Sequence, residues 1–198
     1  GTATAGNFEY DGRVPYFTPL GTQRGVVPGM QYYRLENNFT GANQTAAQSW
    51  FNGTGNLAVT LSSNTVYNFE ALYYHYRTGA ATSHTVSSLF GGTATLNNII
   101  YTLTNTGAAT AAALDTQVTG LVCNTASATV WTTARTSTIY AEPMIRGTVS
   151  VNAGGTFIPQ YSLSATPGSP GYTTAAGSYF AIWPVGTAGS NTSIGTWA

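Results

Sequence analysis

The side chains able to do acid–base, nucleophilic or metal chemistry are few: His75 and His84, one cysteine, Cys123, and the carboxylates Glu9, Asp11, Glu36, Glu70, Asp115 and Glu142. A nucleophilic triad needs Ser or Cys, His and a carboxylate brought together. No Gly-x-Ser-x-Gly elbow is present, and both histidines fall in strand-like runs, where an imidazole is expected to be packed and hydrogen-bonded. Glycan cleavage needs two carboxylates flanking one bond. Asp11 is taken up by a turn, whereas Glu70 stands in mid-run among apolar residues and needs a cation beside it, with Arg77, Arg135 or Arg146 as possible partners. A structural ion pair, or a ring of charges on a symmetry axis, is the plainer reading of Glu70. There is no His-x-His, no Asp-rich loop and no Glu cluster, so neither a metal nor a cofactor is expected. Cys123, alone, reads as a small buried apolar residue. Trp50, Trp131, Tyr101, Tyr172 and Trp197 could stack on sugars by type, although such residues more often fill cores and interfaces.

Only 6% of the 198 residues are charged and every basic residue is Arg, against about 25% charged in ordinary domains. Solubility therefore rests on Thr, Ser, Asn, Gln and Gly. Net charge is zero and the arginines are scattered, which argues against nucleic acid as a partner. No apolar run approaches the ~18 residues of a membrane-spanning helix, so membrane insertion is not expected. The chain starts at Gly1 rather than Met and is expected to be a fragment or a processed product.

These residues must be positioned by strands. Thr65–Arg77 is dense in aromatic and β-branched residues and free of Gly and Pro, and reads as the central strand. Tyr67, Phe69, Ala71, Tyr73 and His75 share one face; Val66, Asn68, Glu70, Leu72, Tyr74 and Tyr76 share the other. Neither face reads as wet, so a second covering layer is needed, either another subunit or a loop of the same chain. Gly177–Val185 is apolar on both faces too, and the two ribbons are expected side by side. Residues 1–28 read as a separate hairpin and linker turning at Asp11-Gly12, with Pro15 marking an edge strand. Residues 29–198 form the main domain. There, Leu57–Leu61 should pair with the central strand across Ser62-Ser63-Asn64, and Met144–Val151 with Thr156–Leu163 across Asn152–Gly155. Thr45–Phe51 is open between a helical turn and a strand, Thr104–Asp115 is expected to be loop, and Pro143 should interrupt its strand. Some ten short strands with turn signals between them predict an all-β antiparallel sandwich or jelly roll.

Two resemblances follow. The closing order of strand, Val151-Asn152-Ala153-Gly154-Gly155 turn, strand, loop and Gly177-Ser178-Tyr179-Phe180-Ala181-Ile182-Trp183-Pro184 resembles the last strands of trimeric jelly rolls of the complement and tumour-necrosis-factor type. Across most of the chain, Ala5-Gly6-Asn7-Phe8-Glu9-Tyr10-Asp11-Gly12, Gln23–Pro28, Thr82–Val86 and Gly154–Gln160 resemble the C-terminal region of phage tail-fibre and related virion proteins. That resemblance implies a homotrimeric distal domain at the end of a fibre stalk, joined to other virion tail or fibre proteins. It implies contact with a bacterial surface glycan or protein outside the cell and no catalysis. Tyr73, Tyr74, Tyr76, Phe180 and Trp183 are then expected at the trimer interface, with recognition on the loops Thr104–Asp115 and Thr166–Ala176. A capsid or neck fibre, and in another class a glycan depolymerase, are the alternatives.

Overall fold

The computed structural model describes residues 2–52, 57–110, 113–114 and 120–197, with backbone alone over 107–110 and 113–114. The described chain is all-β. Its strands are β1 (Phe8–Tyr10), β2 (Pro15–Phe17), β3 (Gly25–Val26), β4 (Gln31–Arg34), β5 (Phe39–Thr40), β6 (Gln48–Ser49), β7 (Val59–Leu61), β8 (Thr65–Leu72) and β9 (His75–Arg77). They continue as β10 (Val86–Gly91), β11 (Thr95–Thr110), β12 (Ala113–Leu114), β13 (Leu121–Cys123), β14 (Thr129–Val130), β15 (Ile139–Ala153), β16 (Gly155–Leu163), β17 (Thr173–Thr174) and β18 (Tyr179–Thr187).

A ten-stranded antiparallel sheet runs β4-β18-β8-β15-β9-β17-β5, with β11 added on β15 and β12 and β13 on β11. A five-stranded sheet runs β14-β10-β16-β6, with β7 also on β16. The two meet through aromatic side chains, an arrangement consistent with a β-sandwich. Phe69 of β8 lies against Phe90 of β10 at 5.2 Å and Phe157 of β16 at 6.1 Å, and Trp50 stacks on Tyr73 at 4.3 Å with Tyr161 beside it. The two apolar ribbons do lie side by side: Phe180 opposes Ala71 and Ile182 opposes Phe69.

Both expected hairpins of the main domain turn out to be corners between sheets. β7 pairs with β16 and β8 with β15 and β18, so Ser62-Ser63-Asn64 carries the chain from one layer to the other. Asn152–Gly155 does the same between β15 and β16, and Gly91–Ala94 between β10 and β11. The three corners share one end of the molecule: Asn64 N donates to Asn152 O, and Ala94 N to Thr156 O. Crowding there requires glycine, since a Cβ on Gly155 would stand 2.6 Å from Ala94 N.

Pro143 does not interrupt β15. It stands opposite the Tyr73–Tyr74 gap between β8 and β9, and its carbonyl accepts from Tyr73 N. N and C=O of a strand residue point the same way, so its missing donor faces a place where the ladder already breaks. The backbone of Thr104–Thr110, expected as loop, is strand paired to β15 as far as Ala108, opposite Tyr140; residues 111–112 and 115 lie outside the described set. Of Thr45–Phe51 only Gln48–Ser49 is strand. The N-terminal unit is a three-stranded sheet in which β2 is central, not an edge. Pro15 is tolerated as its first residue, where it contributes a carbonyl to Val27 N and no donor is required. Its turn is a four-residue loop closed by the Asp11 carboxylate, which accepts from Arg13 N and Val14 N, both at 2.8 Å.

Candidate functional site

The alternation along β8 and β9 decides which side chains are available for function. Tyr67, Phe69, Ala71, Tyr73 and His75 point between the sheets and are buried, while Val66, Asn68, Glu70, Tyr74 and Tyr76 are half-buried and Leu72 is exposed. Two of the five expected interface residues are thereby corrected. Tyr73 (0% exposed) and Phe180 (5%) are core side chains of this single chain, packed on Trp50 and on Phe69 and Phe157. Tyr74, Tyr76 and Trp183 lie on the outward face and remain accessible.

That outward face is built in rows across strands held in register. One row is Thr102, Arg146, Glu70, Ala181 and Tyr32; the next, Thr104, Met144, Leu72, Tyr179 and Arg34; the other, Ile100, Thr148, Asn68 and Trp183. Leu72, Ile100, Met144 and Tyr32 are 36%, 51%, 41% and 56% exposed, and Val122 on β13 is 68% exposed. Among them sits the Glu70 carboxylate, accepting from Tyr179 Oη at 3.3 Å and lying 3.9 Å from Arg146 Nε. Of the three proposed cations, then, Arg146 is the partner. Arg77 is buried elsewhere, donating from Nε to Pro170 O and from Nη1 to Gly79 O and Ala80 O. Arg135 pairs through its backbone with His84. A shallow depression of about 500 Å³ lies over Glu70, Arg146, Asn68 and Trp183. Further along the face Tyr76 and Tyr140 stack at 5.8 Å with Tyr74 beside them. Burial, then the neighbouring Tyr140 and Glu142, push the Tyr74 phenol up.

The titratable groups singled out from the sequence lie inside. His75 is stacked on Tyr172 at 4.7 Å and met edge-on by Trp50 and Tyr161, with Nδ1 3.3 Å from Thr174 Oγ1; burial drops its pKa to about 3. His84 Nδ1 donates to Thr82 O at 2.7 Å, and Nε2 is hydrogen-bonded to Tyr172 Oη at 2.6 Å. Both histidines are thus clasped by core hydroxyls and a carbonyl. Cys123 is buried and unpaired by disulfide. Of the five aromatic residues suited by type to sugars, Trp50, Trp131, Tyr101 and Tyr172 are buried and Trp197 is exposed. The loop Thr166–Ala176 is tied down, with Tyr172 and Thr174 buried and Gly168 N donating to Asn43 Oδ1.

Sequence reasoning missed one feature of the described surface, a cleft of about 440 Å³ between the edge strands β5 and β6. All of its lining but Gln160 comes from the single stretch 39–52, whose two strands are only two residues long each and carry no periodic pattern that sequence reading could use. A scan of protein-family models, a search of curated proteins and a search of solved structures find no match to this chain.

Proposed function

We propose that the chain is the distal, receptor-binding domain of a phage virion fibre, a homotrimeric jelly roll that attaches to the bacterial surface without catalysis. The observation that carries the reading is the outward face of the large sheet. Where an antiparallel sheet facing water shows polar side chains, it presents Leu72, Ile100 and Met144 on interior strands and Tyr32 on the edge strand β4, with Trp183, Tyr74 and Tyr76. In a chain with so little charge, sister copies are the natural cover, and a three-fold arrangement sets Glu70 and Arg146 inside the contact. The corners by which successive strands change sheets support a jelly roll, and the likeness of Ala5–Gly12, Gln23–Pro28, Thr82–Val86 and Gly154–Gln160 to tail-fibre sequences supports the virion. Three copies per fibre multiply weak single-site contacts, so no deep pocket is required.

The test is adsorption to a panel of bacterial isolates. Fluorescently labelled chain should decorate particular strains and block phage attachment to them. Decoration of none contradicts the reading. So does release of soluble saccharide from their envelopes that ceases with Glu70→Gln, which would make the protein a depolymerase.

A further inference from the structure

We propose that the cleft between β5 and β6 is a binding site for an uncharged saccharide, an inference that rests on the attachment reading above and gives it a place and a ligand class. β5 ends the larger sheet and β6 ends the smaller, so the cleft is the open mouth of the two layers. At about 440 Å³ it falls within the 300–1,000 Å³ typical of small-molecule clefts. Half-buried Phe39 supplies ring surface above a floor closed by the buried Phe51, while Thr40, Gln44, Asn52 and Gln160 supply hydroxyl and amide groups.

The chemistry of that lining is selective. A primary amide offers donors and an acceptor together, which matches the vicinal hydroxyls of a sugar, and an aromatic ring matches its C–H face. Among the described residues that line the cleft none is charged, although six arginines and six carboxylates are available elsewhere in the chain. An acidic sugar or a phosphate would be desolvated there without a counter-charge. A peptide added as an extra strand is also disfavoured, because each edge strand is two residues long and offers almost no ladder.

The site is pre-shaped. Gln48 is buried, and its amide is committed to the backbone of Ala42, accepting from Ala42 N at 2.6 Å and donating to Ala42 O at 3.0 Å. This holds the 41–47 loop as one wall. Behind it Gly41 runs so close to Tyr161 that a Cβ would meet the phenol oxygen at 2.2 Å.

Titration of the 198-residue chain with neutral hexose oligosaccharides (mannan, dextran and galactan fragments), with oligogalacturonate as the charged control, tests the assignment. At least one neutral oligosaccharide should bind and the galacturonate should not. Gln44→Ala and Asn52→Ala, both at exposed positions, should each weaken binding about tenfold, the loss of one or two hydrogen bonds. Ala47→Trp, which fills the cleft from an exposed position, should abolish binding with the unfolding temperature unchanged. The inference is overturned if no neutral oligosaccharide binds, if only the charged control binds, or if the three variants bind as the parent does. Cells decorated equally by parent and Ala47→Trp would leave attachment standing and remove the cleft from it. Cleft-dependent sugar binding with no decoration of any cell would do the reverse.

Discussion

His75 stays neutral far below the range of an ordinary imidazole because it is enclosed by Trp50, Tyr161 and Tyr172. Its folded pKa of about 3 lies below the ordinary 6.5, so between those values the unfolded chain takes up a proton that the folded chain refuses. Stability is therefore lost as pH falls from about 6.5, by up to about 1.4 kcal/mol per pH unit. Urea unfolding of the parent and of His75→Phe at pH 7, 5.5 and 4.5 should show the parent's slope with pH reduced in the variant. Tyr73 gives a complementary expectation. Its hydroxyl is buried with no hydrogen-bond partner, and burial, then Tyr101, push its pKa well up. Tyr73→Phe should therefore be neutral or stabilising by up to about 1 kcal/mol in thermal unfolding, because it removes a desolvated polar atom and keeps the ring on Trp50. At this scale the sequence showed which residues share a face, since strand alternation is local. It did not show which face was core, because Tyr67–His75 and Val66–Tyr76 are both aromatic. That is why Tyr73 and Tyr74, on opposite faces, were both expected at an interface.

At the scale of elements, corners and hairpins use the same turn chemistry, so the turns were readable and their pairing was not. Ser62-Ser63-Asn64 and Asn152–Gly155 are turns as expected, but whether the next strand folds back on its predecessor or crosses to the other layer depends on partners far away in sequence. Thr104–Ala108 illustrates the same limit: poor in local preference for either regular structure, it is strand because β15 lies alongside. The corner account makes a steric prediction. Gly155→Val should cost about 3 kcal/mol or prevent folding, since its side chain meets the backbone of Thr93 and Ala94 at 2.6–2.7 Å. Gly25→Ala, whose Cβ meets nothing closer than Phe17 O at 3.8 Å, should be nearly silent in the same chemical denaturation. Within the single chain, where Arg146 is 70% exposed, the Glu70–Arg146 pair should contribute under about 1 kcal/mol to the fold, and Glu70→Gln should fold normally.

For the whole molecule, the low charge and two aromatic-rich ribbons were legible from composition and pattern alone, whereas the break between β8 and β9 and the cleft between β5 and β6 exist only once the sheets are assembled. The inner faces of the ribbons are covered by the second sheet of the same chain, and the outer faces are the part that the proposed sister copies would cover. A charge placed on the two sides should therefore act differently. Tyr73→Asp or Phe180→Asp puts an unpaired carboxylate in the core at a cost of several kcal/mol and should unfold the chain. Leu72→Asp or Trp183→Asp, on the outward face, should leave the fold's circular dichroism intact and separate the subunits. Sedimentation equilibrium of the purified chain tests the central claim most directly. The account predicts a single species of three times the 20.7 kDa chain mass, reduced to one chain by Trp183→Asp. A parent protein that sediments at 20.7 kDa across the concentration range would contradict it.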